Sequence, residues 1–352
     1  MGHRFLDVTL RLLGTGHCLP GPPLATAEGL ARLRDNLGLD LVRKGARVAG
    51  LLGIEARHTC RELRASLEAP RPGQANHQLA AQALGEALTQ AGLPAAGLGF
   101  LLGHTATPST QLPPNIAWVA DELGFDGPYA ELRQACTGFA AALLQAAGLL
   151  ALPGAAPVGV VGSETGSLYC RLDSAFLDRE QLVNLLQMGD GAGAAVVGPE
   201  DREPGPRLSH LYYGRLDGKR QPGIWLAGGR PGQELRYRHN WRGIKQHGLA
   251  LFRAGLAAVA QGGLDPLSLD WFLPHQASGR LAREMALGLG LSPERVVVHA
   301  DRLGNLGSAA IWVSLDRLRR SGRLQPGERV LVLGAEASKY LYGGFVYHHE
   351  VP

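Results

Sequence analysis

The α/β order of this chain occurs twice, and that repetition constrains its fold more than any other feature. In the first half a helical pattern runs from about His77 to Gly92, with Leu79, Ala83, Leu84, Ala87, Leu88 and Ala91 on one apolar face. A buried strand at Leu98 to Gly103 follows. A helix over about Pro114 to Leu123 then opens on two prolines, whose fixed φ suits a first turn. An alanine-rich helix after Cys136 and a strand at Val158 to Gly162 complete the set, and Met188 to Val197 reads as a turn and closing strand. The second half gives the same order: a helix from about Ile244 to Gln261, a strand at Trp271 to Leu273 and a helix over about Ser278 to Leu289. A strand at Arg295 to His299, a helix led by Asn305 and a strand at Arg329 to Leu333 follow. The two sets are nearly equal in length, which favours duplication over coincidence. The expected units are residues 1–200 and 201–352.

Composition narrows the function classes. Of 352 residues, 45% are hydrophobic and 19% charged, as expected for a soluble chain with a large core. Gly is abundant (49) and aromatics are few (6%), which suits close packing of helices on sheets. No stretch approaches the roughly 18 uninterrupted apolar residues of a membrane span, and Met1-Gly2-His3-Arg4 does not open a signal peptide. The expectation is a cytoplasmic protein with no membrane partner. The four cysteines form no CxxC pair and the twelve histidines no HExxH cluster. That argues against a disulfide framework or a zinc site, so no metal and no cofactor are expected; His348-His349 reads as solvated tail. Net charge is mildly basic at +4, with local density at Arg317 to Arg320 and Arg215 to Arg220. These are solvated faces or a surface for an acidic protein. Without interleaved aromatics they do not suggest nucleic acid.

Three residues carry the chemistry. Cys136 sits in Ala135-Cys136-Thr137-Gly138-Phe139 at the start of an apolar helix, where free N–H groups and the helix dipole favour a thiolate. Alone, such a cysteine reads as a buried hydrophobe. His275 ends the run Trp271 to Pro274, at the carboxyl end of a strand where open α/β sheets place their ligands. Asn305 lies in Gly304-Asn305-Leu306-Gly307 ahead of another helix. Cys136 and Asn305 each head the third helix of a half, so a pseudo-twofold axis brings them face to face. A Cys, a His and an Asn at element boundaries suit acyl chemistry through a thioester.

These segments resemble the β-ketoacyl-acyl-carrier-protein synthase III group of the thiolase superfamily. The resemblance is carried by Gln134 to Phe139, Met188 to Ala194, Pro274-His275-Gln276-Ala277 and Arg302-Leu303-Gly304-Asn305, in that order along nearly the whole chain. It implies a thiolase-like fold of duplicated βαβαβαββ halves, forming a five-layered α-β-α-β-α core and usually homodimeric. Cys136 would accept an acyl group. A malonyl thioester on an acyl carrier protein would lose CO₂, and its enolate, held by His275 and Asn305, would attack the acyl-cysteine. Backbone N–H groups of Cys136 and Ala337 would form the oxyanion hole, Leu112 would reach the partner subunit's acyl pocket, and Arg280 and Arg283 would dock the carrier. Three departures mark a specialised member. Glu336-Ala337-Ser338 stands where relatives often carry glycines. Arg47 and Leu51 stand where coenzyme-A users often have Trp and Arg, and Leu112 where a bulky aromatic can close the pocket.

Other readings remain at this level. Acyl transfer to an alcohol or amine without condensation makes no use of Asn305. A papain-like thiol hydrolase places its cysteine near the mature N-terminus, in a motif absent here. A non-catalytic subunit on the same fold typically loses one of the three residues.

Overall fold

In the computed structural model, residues 3–200, 203–228 and 235–350 are described, with backbone alone over 3–6. A ten-stranded sheet runs through both halves. From one edge of its main path, the first half runs Tyr129–Leu132, Phe100–His104, Val158–Glu164, Gly191–Gly198 and Leu10–Cys18. By chain order these are the third, second, fourth, fifth and first strands. From the other edge the second half runs Trp271–Pro274, Arg329–Glu336, Leu341–His348 and Arg207–Arg215. A single bridge from Phe272 to Val296 stands where the third strand belongs. The order is therefore the same, and so are the pairings: second with fourth parallel, fourth with fifth antiparallel. The halves join where the two first strands pair antiparallel, Leu10 with Leu208 and Arg11 with Arg207.

Alternation along the strands sorts the layers. Ala192, Ala194 and Val196 pack with the helix Asn76–Ala91, whereas Ala195 and Val197 point the other way. In the second half Leu331 and Leu333 pack with the helix Trp241–Gln261, and Val330 and Val332 point the other way. Between the two sets of strands lie the helices Gly138–Leu150 and Ala310–Arg320. The layers are helix, sheet, helix, sheet, helix. Gly138–Leu150 has no charged residue because it has sheet on both sides. Its Phe139 meets Trp312 edge-on, with ring centroids 6.0 Å apart.

Three expectations need correction. Arg295 to His299 is not a strand: a 3₁₀ turn, Pro293–Arg295, leads into it, and the side chain of Gln276 takes over the pairing. Gln276 donates to the Val297 carbonyl and accepts from the His299 and Ala300 N–H groups. The helix expected from Ser278 begins at Leu281, because Ser278 and Gly279 are bound to Leu52 at the end of another helix. There a Cβ on Gly279 would lie 1.9 Å from the Gly53 carbonyl oxygen. His348-His349 is not a solvated tail: His348 ends a strand and its Nε2 pairs with the Ser209 hydroxyl at 2.7 Å.

Candidate active site

Cys136 stands just before the N-cap of Gly138–Leu150, on the wall of a narrow cavity of about 80 Å³. Asn305 lines the same cavity. Its loop is fixed by main-chain bonds from Asn305 N–H to Gln187 and from Gly189 N–H to Asn305. Gly304 and Gly307 both have positive φ, and a side chain at Gly307 would meet Glu164 at 2.8 Å. The Asn305 carboxamide oxygen accepts from Gly307 N–H at 2.9 Å, so its N–H groups are left to donate elsewhere.

His275 follows the strand Trp271–Pro274, and its N–H donates to Leu333 at 2.8 Å. It is buried and Nδ1 has no partner. Burial pushes its pKa down to about 4, so the ring is neutral at neutral pH. His275 is not among the residues that line the cavity around Cys136 and Asn305. Its segment is nonetheless tied to theirs, since Gln187, which accepts from Asn305 N–H, donates through its side chain to Ala277 at 2.9 Å.

Two buried carboxylates complete the cavity, and they are related by the repeat. Glu164 ends the fourth strand of the first half; Glu336 ends the fourth strand of the second. Glu336 accepts from the N–H and hydroxyl of Thr137, next to Cys136, at 3.0 and 2.8 Å. Glu164 accepts from the N–H and hydroxyl of Ser308, just beyond Asn305. Each half thus supplies the carboxylate that caps the other half's functional helix. Ser308, Thr107 and Ala106 donate to Glu164, yet burial raises its pKa.

Burial, with these carboxylates, works against the ready thiolate expected at a helix start. Burial first, then the charges of Glu336 and Glu164, push the Cys136 thiol well above its ordinary value, and its own backbone N–H offsets only part of this. The thiol is protonated at rest.

Known proteins resemble this chain along most of its length. Residues 130–214 match the family model of 3-oxoacyl-[acyl-carrier-protein (ACP)] synthase III, and residues 259–347 match its C-terminal model. A β-ketoacyl-[acyl-carrier-protein] synthase III of Rhizorhabdus wittichii is 29% identical, over 94% of this chain and 97% of that protein. The chain is a synthase III-like condensing enzyme of the thiolase superfamily. Among solved structures, AbyA1, a tetronic acid condensing enzyme, superposes on the synthase III-like enzyme with a TM-score of 0.82 at 27% identity, covering 96% of this chain and 99% of that one. The Pseudomonas aeruginosa 3-oxoacyl-(acyl carrier protein) synthase III shares the fold, with a TM-score of 0.79 at 23% identity over 98% of this chain and 100% of that one.

Of the remaining expected residues of the synthase III-like enzyme, Ala337 adjoins this cavity, and Leu112, Arg280 and Arg283 are not in its lining. Ala337 sits between the cavity residues Glu336 and Ser338, and its carbonyl accepts from Gly223 N–H at 2.9 Å. Leu112 is 85% exposed and does not line the cavity within one chain. Arg280 caps Leu281–Leu289 and donates to the Gly50 carbonyl at 2.5 and 3.2 Å; Arg283 is exposed on the first turn. Sequence reasoning missed Glu164 and Tyr237, both of which line the cavity. A carboxylate at the end of an apolar strand was a usable signal for Glu164; Tyr237 had none. Among the described residues, His17, Glu86 and Asp316 form one group with metal-ligand spacing. Arg320 already pairs with both carboxylates there.

Proposed function

We propose that the enzyme performs a decarboxylative Claisen condensation between an acyl group on Cys136 and a malonyl thioester on an acyl carrier protein. The observation that carries this reading is the shared cavity of Cys136 and Asn305, with each one's helix capped by the other half's carboxylate. The thiol attacks the incoming thioester, and its proton leaves on the departing thiol. Loss of CO₂ from the malonyl group then gives an enolate. Neutral His275, from beside the cavity, and the Asn305 carboxamide N–H would donate to its oxygen, and two preorganised neutral donors are suited to that charge. The enolate carbon bonds to the acyl carbon, and the expelled Cys136 sulfur takes up a proton. Backbone N–H groups of Cys136 and Ala337 would hold the acyl oxygen. In a homodimer the exposed Leu112 would close the partner's acyl pocket, and Arg280 and Arg283 would face the acidic carrier. No metal or cofactor takes part in these steps.

Intact mass after incubation with acyl thioesters tests the first half-reaction. A single acyl adduct is expected on the wild type and none on Cys136→Ala; an adduct mapped to Cys18, Cys60 or Cys170 overturns the assignment. Label from malonyl carrier should enter a chain-extended product. Transfer of the acyl group to an alcohol or amine instead would mean acyl transfer without condensation.

A further inference from the structure

The basic segment Arg215 to Arg220 takes no part in the reaction above. Arg215, Lys219, Arg220 and Lys339 line a second cavity, of about 360 Å³, together with Gly218 and Gln221. Among the described residues no carboxylate lines it; Asp217, in the same loop, is not part of its wall. Among the described residues none of the four cations is in an ion pair. The Lys339 ammonium donates to the Arg220 carbonyl at 3.1 Å, which fixes the two sides of the cavity to each other. Nη1 of Arg220 is buried with no hydrogen-bond partner. A buried guanidinium N–H without an acceptor is unfavourable, and a bound anion would remove that cost.

The cavity adjoins the thiol site through two shared segments. Ser338 lines the thiol cavity and Lys339 the basic one; Ile224 lines the thiol cavity and Gln221 the basic one. The segments are joined by the bond from Gly223 N–H to Ala337, and a Cβ on Gly223 would lie 2.7 Å from that carbonyl oxygen. We propose that the basic cavity binds an anionic group of the acyl thioester, a phosphate or a carboxylate, while the thioester carbon lies at Cys136. This rests on the acyl-transfer reading. The anion has two possible sources: the phosphates of the thiol carrier, or an acid at the far end of the acyl chain.

Four probes separate them: pentanoyl and glutaryl thioesters, each on N-acetylcysteamine and on coenzyme A. Acylation rates of Cys136 are read by mass spectrometry for the wild type, R220Q/K339Q and, as a second variant, R215Q/K219Q; melting curves check folding. If the acyl acid is the ligand, the glutaryl-to-pentanoyl ratio on N-acetylcysteamine is high and falls about tenfold in the variants. If the carrier phosphate is the ligand, the coenzyme-A-to-N-acetylcysteamine ratio falls by a similar factor for both acyl groups. If Cys136 is labelled but neither ratio moves, the cavity is not a substrate subsite and the acyl-transfer reading stands. If no probe labels Cys136 in the wild type, that reading falls and this proposal with it.

Discussion

Glu336 acts on Cys136 in two ways. It fixes the loop by accepting from the N–H and hydroxyl of Thr137, and its charge disfavours the thiolate. Glu336→Gln keeps an oxygen acceptor but removes the negative charge, so the thiol should become more acidic. The pH midpoint of Cys136 alkylation by iodoacetamide should fall, read on the Cys136 peptide; an unchanged or higher midpoint would show that the charge is not felt. His275→Ala and Asn305→Ala should acylate normally yet condense about 10²–10³ times more slowly, the usual cost of one preorganised donor. Equal loss of both half-reactions in single-turnover measurements would assign them to the fold or the first step. Cys136, His275 and Asn305 were legible because each follows a recognisable run and sits beside small residues. The carboxylates' roles were not: Glu164 meets Ser308 across 144 positions and Glu336 meets Thr137 across 199, and no local pattern encodes such contacts.

The strands at Phe100–His104, Val158–Glu164, Gly191–Gly198, Trp271–Pro274 and Arg329–Glu336 were readable from their apolar runs, whereas the interior strands Leu10–Cys18, Arg207–Arg215 and Leu341–His348 and the edge strand Tyr129–Leu132 were not. The helix expected from about His77 is Asn76–Ala91, and the strand expected from Val158 is Val158–Glu164. Arg295 to His299 has strand-like residues, but after one bond from Val297 N–H to the Phe272 carbonyl its groups are met by the side chain of Gln276, a substitution that periodicity cannot report. The short helix Leu281–Leu289 carries the docking prediction. Arg280 is bound to the Gly50 carbonyl, so replacing it would disturb the fold as well as the charge. Arg283 is the cleaner probe, although Glu284 beside it offsets part of its field. Arg283→Glu should raise the apparent KM for the malonyl carrier, most at low salt where steering is strongest, and leave acylation by a small thioester unchanged. A KM that does not move at low salt removes this helix from the docking surface.

The duplication makes the centre of the molecule a place where both halves must fit at once, and His104 occupies it. It ends the strand Phe100–His104, and a side chain on Gly138 or Gly162 would collide with its ring. On Gly162 the same Cβ would also lie 2.4 Å from the Ser308 carbonyl oxygen of the second half. Both ring nitrogens of His104 are buried without partners, and burial pushes its pKa down to about 3. The sign follows from proton counting. Between its unfolded value near 6.5 and its folded value near 3, the unfolded chain binds a proton at this residue that the folded chain does not. Its contribution to stability is therefore present above pH 6.5 and is lost as pH falls. At pH 5 the loss for this one group is about 2 kcal/mol relative to pH 7.5. Buried His275 and half-buried His299, both pushed down to about 4, add to the same trend, while Glu164 and Asp190, whose burial raises them, oppose it. A bulk stability profile mixes these effects, so the test is a difference. His104→Asn should cost less in urea stability at pH 5 than at pH 7.5, by about 2 kcal/mol, because the variant has no ring to protonate on unfolding. An equal cost at both pH values would mean that His104 binds its proton equally in the folded and unfolded chains, and that the meeting point of the two halves admits water.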